Sequence, residues 1–390
     1  MVILLPDVEV KSERRQEVVK KKKIMFFIYR LSYGGAARTM MNIVNHLDRD
    51  KFEPILVTLD FTFDYEQYVK DDVIFIKLNT KRLRSSIVPL AKLIRKEQPD
   101  VLFSTIPNYN TIAILAKLLS RTKTKVVVRE AAYLGGGFKE NLKLRSYGLL
   151  YKLADKVVAL SQGVKDNVIT RYRVNPNKIK VIYNPVDVEY IEKAMVQPLS
   201  PDHQSLFTTN KQTIVSVGRL VKEKDQATLL RAFQSVLEQV PSKLIILGEG
   251  ELETSLKALA KQLKIEDSVH FVGFQQNPYA FFYQADLFAL TSKTEGFGHV
   301  LVEAMATETP IVSTRCVPGG EEVLQNGKYG KICDVGDDEA IATNIIKVLQ
   351  YNHEDRMNMI SLGKERVSTF SAKQIVSQYE QLFLEILNHN

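Results

Sequence analysis

Short apolar runs alternate with amphipathic segments along the chain, and this alternation is present in both halves of the sequence. Strands that alternate with helices are typical of a parallel sheet covered by helices on both faces. Because crossovers between parallel strands are right-handed, the pattern predicts doubly wound, Rossmann-like α/β domains. The predicted strands comprise residues 24–29, 55–59, 73–77, 101–104, 126–129, 157–160 and 179–182, and then residues 213–217, 244–247, 269–272, 287–290 and 311–313.

The alternation is interrupted at residues 196–212, which are rich in Pro, Ser, Thr, Gln and Asn, as linkers are. The length of 390 residues also suits two domains. We therefore predict Rossmann-like domains at residues 21–195 and 213–370 that face a central cleft. Residues 371–390 are predicted to form a closing helix. Residues 1–20 fit no core element and are predicted to be a charged extension.

The charge is distributed unevenly. Residues 1–190 hold 34 basic and 20 acidic residues, a net charge of +14, whereas residues 191–390 hold 19 and 25, a net charge of −6. A basic first half indicates an anionic membrane surface or a phosphorylated acceptor as partner, with a merely solvated basic face as the alternative. Nucleic acid is disfavoured, because no recognition helix, zinc pattern or RNP-type strand accompanies the charge. The basic clusters are residues 20–23, 81–84, 121–125 and 171–173.

Composition excludes several classes of protein. The two cysteines, Cys316 and Cys333, are too few for a disulfide scaffold or a zinc cluster, and we expect buried thiols. No apolar run approaches the roughly 18–20 residues that span a bilayer. The apolar start at residues 2–5 is shorter than the signal-peptide core of about 7–15 residues. We therefore expect a soluble, cytoplasmic protein.

The strongest functional signal is the sequence Glu-Gly-Phe-Gly-His, which follows the predicted strand 287–290. It opens a helix at the carboxyl end of a strand, where such sheets bind ligands and where free N–H groups suit a phosphate. Glu295 and Glu303 would lie roughly 7–8 Å apart along the helix axis, about the reach of a diphosphate between two sugars. Exposed charges on a surface helix are the alternative. The predicted site residues here are Glu295, Gly296, Phe297, Gly298, His299 and Glu303.

A second signal follows the first strand of the second domain. Arg219 and Lys224 lie in the loop and first helical turn, where cations oppose the helix macrodipole. An anionic ligand removes that conflict, with Arg as a fork for diphosphate oxygens and Lys as a point charge. A charged surface loop is the alternative. Gly218 would let the backbone approach this ligand, and Gly273 lies in the backbone expected to read a nucleotide base.

A third signal joins the first strand of the first domain to its helix. Gly34 and Gly35 resemble a phosphate-approach loop that ends at Arg38, although the G-x-G-x-x-G pattern is absent and a tight turn remains an alternative. A similar pair, at residues 319–320, follows the predicted strand 311–313. No residue pattern supports a metal site, because the formal D-x-D at residues 48–50 reads as a turn.

Together, these residues resemble glycosyltransferase family 4, a family of retaining glycosyltransferases with the GT-B fold. Residues 295–303 resemble its E-x7-E motif, and Arg219 and Lys224 match its cations on the donor diphosphate. Residues 34–38 resemble its G-G-A-E-R loop, and residues 184–187 resemble its N-P-V-D or N-G-V-D segment. The resemblance covers about residues 24–388.

The resemblance implies that the protein moves a hexose or N-acetylhexosamine from a nucleotide sugar, expected to be a UDP-sugar, to a hydroxyl of a glycan or lipid-linked acceptor. Glu295 would contact the transferred sugar and Glu303 the ribose, with no metal and no cofactor. The first domain would bind the acceptor, the second the nucleotide sugar, and the last helix would cross back onto the first domain. Such an enzyme would serve cell-surface polysaccharide or glycoconjugate synthesis, peripherally on the inner face of the membrane.

Two departures keep alternatives open. Ala37 stands where the family loop has Glu, and the cleft histidine of many members is absent, so Glu130 would supply a carboxylate in the acceptor region. A catalytically silent GT-B subunit that binds glycan beside an active partner is one alternative. A nucleotide-sugar epimerase of similar fold is another, but Glu295 alone offers too few acid and base groups for it.

Overall fold

The computed structural model describes residues 20–31, 34–59, 61 and 64–388. Apart from Lys20, the charged extension predicted for residues 1–20 lies outside the described residues.

The first half of the chain forms a seven-stranded parallel sheet in the order β3-β2-β1-β4-β5-β6-β7. Its strands are β1 (Lys22–Phe27), β2 (Phe52–Leu59), β3 (Ile74–Leu78), β4 (Val101–Thr105), β5 (Lys125–Glu130), β6 (Lys156–Ala159) and β7 (Ile179–Val181). Its helices are α1 (Gly35–His46), α2 (Ile87–Glu97), α3 (Pro107–Ser120), α4 (Phe138–Tyr151), α5 (Gln162–Asn167) and α6 (Val188–Met195).

The second half forms a six-stranded parallel sheet in the order β10-β9-β8-β11-β12-β13, and the short helix α7 (Pro201–Gln204) lies in the connection between the sheets. Its strands are β8 (Gln212–Val217), β9 (Ser242–Leu247), β10 (Val269–Gly273), β11 (Leu287–Leu290), β12 (Ile311–Thr314) and β13 (Lys331–Cys333). Its helices are α8 (Gln226–Leu237), α9 (Glu253–Gln262), α10 (Tyr279–Gln284), α11 (His299–Ala306), α12 (Gly319–Val323), α13 (Asp338–Leu349), α14 (His353–Ser368) and α15 (Ala372–Asn388).

Both strand orders reverse direction beside the first strand of their sheet, which is the doubly wound arrangement. The predicted doubly wound α/β class is therefore confirmed, with two Rossmann-like sheets. Every residue of the interior strands β4 and β9 is buried, because helices cover both faces of each sheet. The sequence pattern indicates neither the three-residue strand β13 nor helix α4.

The last helix packs on the first sheet, although its sequence follows the second one. Phe383 of α15 lies against Phe26 and Phe103, with ring centroids 6.3 Å and 6.0 Å away. The chain crosses back at Val186, whose N–H donates to the carbonyl of Phe370 at 2.9 Å. The N–H of Ala372 donates to the carbonyl of Val186 at 2.8 Å, so the crossing is fixed by backbone hydrogen bonds on both sides.

Two expectations from composition concern the cysteines and the membrane. Cys316 and Cys333 are buried free thiols, as expected. Among the residues that the structure describes, no helix is both long and apolar enough to cross a bilayer.

Candidate active site at the facing carboxyl edges

The carboxyl edges of the two sheets face each other. Arg38, in the first turns of α1, donates to the carboxylate of Glu303 on α11, across the two domains. A Cβ placed on Gly296 would lie 3.2 Å from the carbonyl oxygen of Ala131, just after β5. Strand-to-helix loops of both sheets therefore meet, and ligands of such sheets bind in the crevice outside these strand ends.

Glu295 and Lys224 meet at this edge, although they lie 71 residues apart. The Lys224 ammonium donates to the Glu295 carboxylate, and the Ser292 hydroxyl donates to the same oxygen at 2.8 Å. Both side chains are largely buried, with exposed fractions of 14% for Glu295 and 19% for Lys224. The Thr291 hydroxyl donates to the carbonyl of Asp225 at 3.0 Å, which joins the two loops. A carboxylate and a cation are thus held side by side.

Arg219 adds a second cation to the same loop. Its side chain is exposed, and the guanidinium makes no hydrogen bond or ion pair to any residue that the structure describes. Its carbonyl accepts a hydrogen bond from the Gln226 side-chain amide at 3.0 Å, which fixes the backbone. Gly218 packs against the aliphatic part of Lys224, about 3.5 Å from where a Cβ would lie. The guanidinium fork is therefore available to an anionic ligand.

The predicted glycine turn forms the start of α11. Gly298 has φ of +84° and precedes the helix, a left-handed conformation that glycine adopts without strain. The first N–H groups of a helix have no acceptor within the helix, so they suit an anion. Gly319 packs its backbone against Phe297, where a Cβ would lie 2.4 Å from the Phe297 Cα. The pair at residues 319–320 therefore serves close packing rather than a ligand.

Glu303 lies at the inner end of the site. Its carboxylate is buried and is paired with Arg38 of the first domain. A cavity of about 140 Å³ adjoins the pair, and Tyr68, Gln276 and Tyr279 are among its lining residues. In this conformation the Arg38 guanidinium of the first domain is thus paired with Glu303, the carboxylate that is expected to contact the ribose.

The ring of His299 joins the two domains, a role that the sequence analysis missed. Its Nε2 lies 2.8 Å from the Asn184 side-chain nitrogen and 3.3 Å from the Thr39 hydroxyl. Burial, together with the nearby charges of Arg38 and Arg129, lowers the pKa of His299 to about 3. The imidazole is therefore neutral and accepts a hydrogen bond from the Asn184 amide. The helix-start position of His299 in sequence carries no signal of this bridge.

A second interdomain contact was also missed. Glu322 on α12 accepts the backbone N–H groups of Gln162 and Gly163 at 2.9 Å and 2.8 Å, at the start of α5. The Tyr183 hydroxyl donates to the same carboxylate at 3.2 Å. A carboxylate from one domain thus satisfies free N–H groups of a helix in the other.

The other predicted glycines lie near the site. Gly35 begins α1, and a Cβ placed there would lie 3.1 Å from the His299 ring, whereas Gly34 immediately precedes this helix. Gly273 ends β10 with φ of +69°, and its carbonyl accepts the N–H of Gly248 at 2.8 Å.

Glu130 is not brought to the cleft, so the prediction that it supplies a carboxylate to an acceptor is corrected. The side chain is fully buried in the first domain. The hydroxyls of Tyr151 and Tyr172 donate to its carboxyl group, the latter at 3.0 Å, and the Asn110 amide donates at 3.3 Å. Burial outweighs these hydrogen bonds and raises the pKa of Glu130 to about 7. Neighbouring residues of a strand point to opposite faces of the sheet, and Glu130 points to the face that carries Tyr151 and Tyr172.

Glu130→Gln should change how stability depends on pH. Between pH of about 4.5 and 7 the folded protein retains the Glu130 proton while the unfolded chain releases it, so this group's contribution to stability falls as pH rises. We expect the free energy of unfolding of the wild type, relative to the variant, to fall across this window by at most about 1.4 kcal/mol per pH unit. Urea unfolding at several pH values measures this. Glu140→Gln, at an exposed position on α4, controls for the lost charge, and parallel profiles for wild type and Glu130→Gln would contradict the prediction.

Comparison with known families agrees with this geometry. The profile described as Glycosyl transferases group 1 matches residues 201–366, and the profile described as Glycosyltransferase Family 4 matches residues 33–190. N-acetyl-alpha-D-glucosaminyl L-malate synthase of Bacillus anthracis is 31% identical over 306 residues, which cover 76% of this chain and 78% of that protein.

Two further proteins are similar over most of their length. The N-acetylgalactosamine-N,N'-diacetylbacillosaminyl-diphospho-undecaprenol 4-alpha-N-acetylgalactosaminyltransferase of Campylobacter jejuni is 28% identical over 343 residues, 84% of this chain and 90% of that one. The crystal structure of Anabaena Alr3699/HepE in complex with UDP superposes with a TM-score of 0.77 at 21% identity, and it covers 94% of this chain and 100% of that one.

Two doubly wound sheets whose carboxyl edges face each other define a protein of the GT-B fold. The chain belongs to glycosyltransferase family 4, within the glycosyl transferases of group 1, and it is a glycosyltransferase.

Proposed function

We propose that this enzyme transfers a hexose or N-acetylhexosamine from a UDP-sugar to a hydroxyl of a glycan or lipid-linked acceptor, with retention of configuration and without a metal ion. The observation that carries the proposal is the grouping of Lys224, Glu295 and the exposed guanidinium of Arg219 beside the glycine turn before α11. Two cations and a helix start suit a diphosphate, and the carboxylate suits sugar hydroxyls.

The proposed chemistry follows from these charges. As the bond to the sugar breaks, negative charge grows on the leaving diphosphate, and Arg219, Lys224 and the first N–H groups of α11 stabilise it. Glu295 holds Lys224 in place and accepts a hydrogen bond from the transferred sugar. Glu303 accepts hydrogen bonds from the ribose once the donor displaces Arg38. The leaving phosphate itself takes the acceptor proton. Glu295 is not the base, because its carboxylate is already paired with Lys224.

The relatives support the sugar and acceptor classes. The Campylobacter jejuni enzyme carries N-acetylgalactosamine and a diphospho-undecaprenol in its name, and the Bacillus anthracis enzyme carries N-acetylglucosamine. The crystal structure of HepE is a complex with UDP. By analogy, we propose an N-acetylhexosamine donor with UDP as its nucleotide, an acceptor borne on a lipid carrier, and a role in the synthesis of a cell-surface polysaccharide or glycoconjugate. The basic first domain would then work at the inner face of the membrane.

A screen of nucleotide sugars tests this function. A bound donor at 100 times its Kd should stabilise the protein by about 2.7 kcal/mol, which a thermal-shift assay detects. Release of UDP together with a glycosylated product distinguishes the enzyme from a silent subunit, which would bind without turnover, and from an epimerase, which would release no UDP.

Arg219→Ala should weaken UDP binding about tenfold or more, because a charge-assisted hydrogen bond contributes about 1.5–3 kcal/mol. Addition of EDTA should leave binding and turnover nearly unchanged. Isothermal titration with UDP, with and without EDTA, measures both effects. Lys222→Ala is the matched control, since Lys222 is an exposed cation of the same loop. Equal losses in the two variants, or strict metal dependence, would overturn the assignment.

A further inference from the structure

We propose that the outer face of α4 docks on an anionic lipid bilayer. This 14-residue helix buries only Leu144, Gly148 and Tyr151. Large apolar side chains on its other face are exposed, and they form a surface that we call the α4 stripe. The stripe consists of Phe138, Leu142, Leu149 and, just after the helix, Leu153, with exposed fractions of 85%, 59%, 63% and 52%.

The stripe has the geometry of a single helix face. With 3.6 residues per turn, positions 138, 142 and 149 fall within about 40° of one another around the axis. From position 138 to position 153 the stripe runs about 22 Å at 1.5 Å per residue. Scattered exposed apolar residues are common on soluble proteins, but three on one helix face, interrupted there by Arg145 and followed by Leu153 just after the helix, mark an interaction surface. Such a helix can lie in the plane of a membrane interface, with its apolar face at the boundary between headgroups and acyl chains.

The charge around the stripe selects the partner. Residues 138–153 hold four cations and one acidic residue, a net charge of +3, and all four cations are exposed. Arg145 and Lys152 border the stripe, and long basic side chains at such positions can bury their stems while the charge stays among headgroups. Each cation near an anionic leaflet strengthens binding about fivefold. A second copy of the same face would instead bring like charges together. An anionic bilayer is therefore favoured over self-association.

Helix α4 lies close in sequence to a segment that contacts the candidate active site. The segment that leads into the helix passes Ala131, whose carbonyl approaches Gly296 of the glycine turn. The stripe begins seven residues later, at Phe138. The inner face of the helix is fixed to the domain, because the Tyr151 hydroxyl donates to the buried carboxyl group of Glu130 and Tyr147 donates to Asn108 on α3. A rigid docking helix would thus hold the cleft beside the bilayer, within reach of a lipid-linked acceptor.

The inference rests on the proposed function for its purpose, but its test needs neither donor nor acceptor. The chain contains no tryptophan, so Phe138→Trp introduces a single fluorescent reporter in the stripe. On vesicles of phosphatidylglycerol and phosphatidylcholine, its emission should shift to shorter wavelength, and brominated acyl chains should quench it. Met357→Trp, at a position on α14 that is 46% exposed, is the matched control and should show neither change.

A flotation assay completes the test. The double variant Phe138→Ser and Leu142→Ser should lower partitioning onto these vesicles about tenfold or more, whereas Val196→Ser and Met357→Ser, also at exposed apolar positions, should leave it unchanged. Rising salt should weaken binding, because cations contribute. The proposal is overturned if the wild type fails to bind at low salt or if the stripe variant binds as well as the wild type. An unchanged emission of Phe138→Trp on bound protein would overturn it too, as would a lipid-free dimer that the stripe variant abolishes.

Discussion

Glu295→Gln should lower the rate of sugar transfer by up to about 10²–10³, the usual cost of losing one preorganised hydrogen-bond donor, because Glu295 positions the Lys224 ammonium and is proposed to contact the sugar. The substitution keeps the size of the side chain but removes the charge that holds Lys224 in place. We expect kcat to fall much more than the affinity for UDP, since Glu295 is proposed to contact the sugar and not the nucleotide. Steady-state kinetics and UDP titration on the same variant measure the two effects separately.

Two further variants, one at the site and one control, make this test more specific. Lys224→Ala should reduce both kcat and UDP affinity, because its ammonium is proposed to contact the diphosphate as well as Glu295. Lys222→Ala, at an exposed position of the same loop, should change neither. The site assignment fails if Glu295→Gln retains wild-type kcat, or if Lys222→Ala loses as much activity as Lys224→Ala.

Phe383→Ala should destabilise the protein by about 3–5 kcal/mol, the range for removing a large aromatic side chain from a core. Phe383 is fully buried, and its ring packs against Phe26, Phe52 and Phe103 of the first sheet. A cavity among these rings would loosen α15 from the first domain. Urea unfolding followed by circular dichroism measures the loss.

Phe138→Ala is the matched control for this prediction. The same substitution at a side chain that is 85% exposed should change the free energy of unfolding by less than about 0.5 kcal/mol. If both substitutions cost the same, the packing of α15 on the first sheet does not contribute to stability in the way described.

The strands and most helices could be predicted because their signal is local. A buried parallel strand is an unbroken apolar run, and an amphipathic helix repeats every three to four residues. Helix α4 was not predicted because it carries apolar side chains on two different faces. One face, with Leu144 and Tyr151, is buried and the other is exposed to solvent, so no single apolar stripe stands out. Strand β13 was not predicted because three residues are too few to show an apolar run or an alternation.

The chemistry of the candidate site could also be predicted in part. A glycine turn bracketed by two glutamates after one strand, and two cations after another, indicate an anion at the carboxyl edge whatever the rest of the fold does. Which groups become partners could not be predicted. The pairing of Arg38 with Glu303 joins positions 265 residues apart, and the bridge from Asn184 to His299 joins positions 115 apart.

The sequence by itself determined the doubly wound class, the family and the residue types at the strand ends, because each depends on short-range spacing. Only the tertiary structure decided where side chains point. Arg129 and Glu130 are neighbours at the end of β5, yet Arg129 turns toward Asn184 near the interdomain bridge, whereas Glu130 turns into the tyrosine-lined core. A shift of one residue along a strand exchanges the two faces of the sheet. Which groups lie over each face depends on segments packed from distant parts of the chain, and local spacing carries no record of that packing.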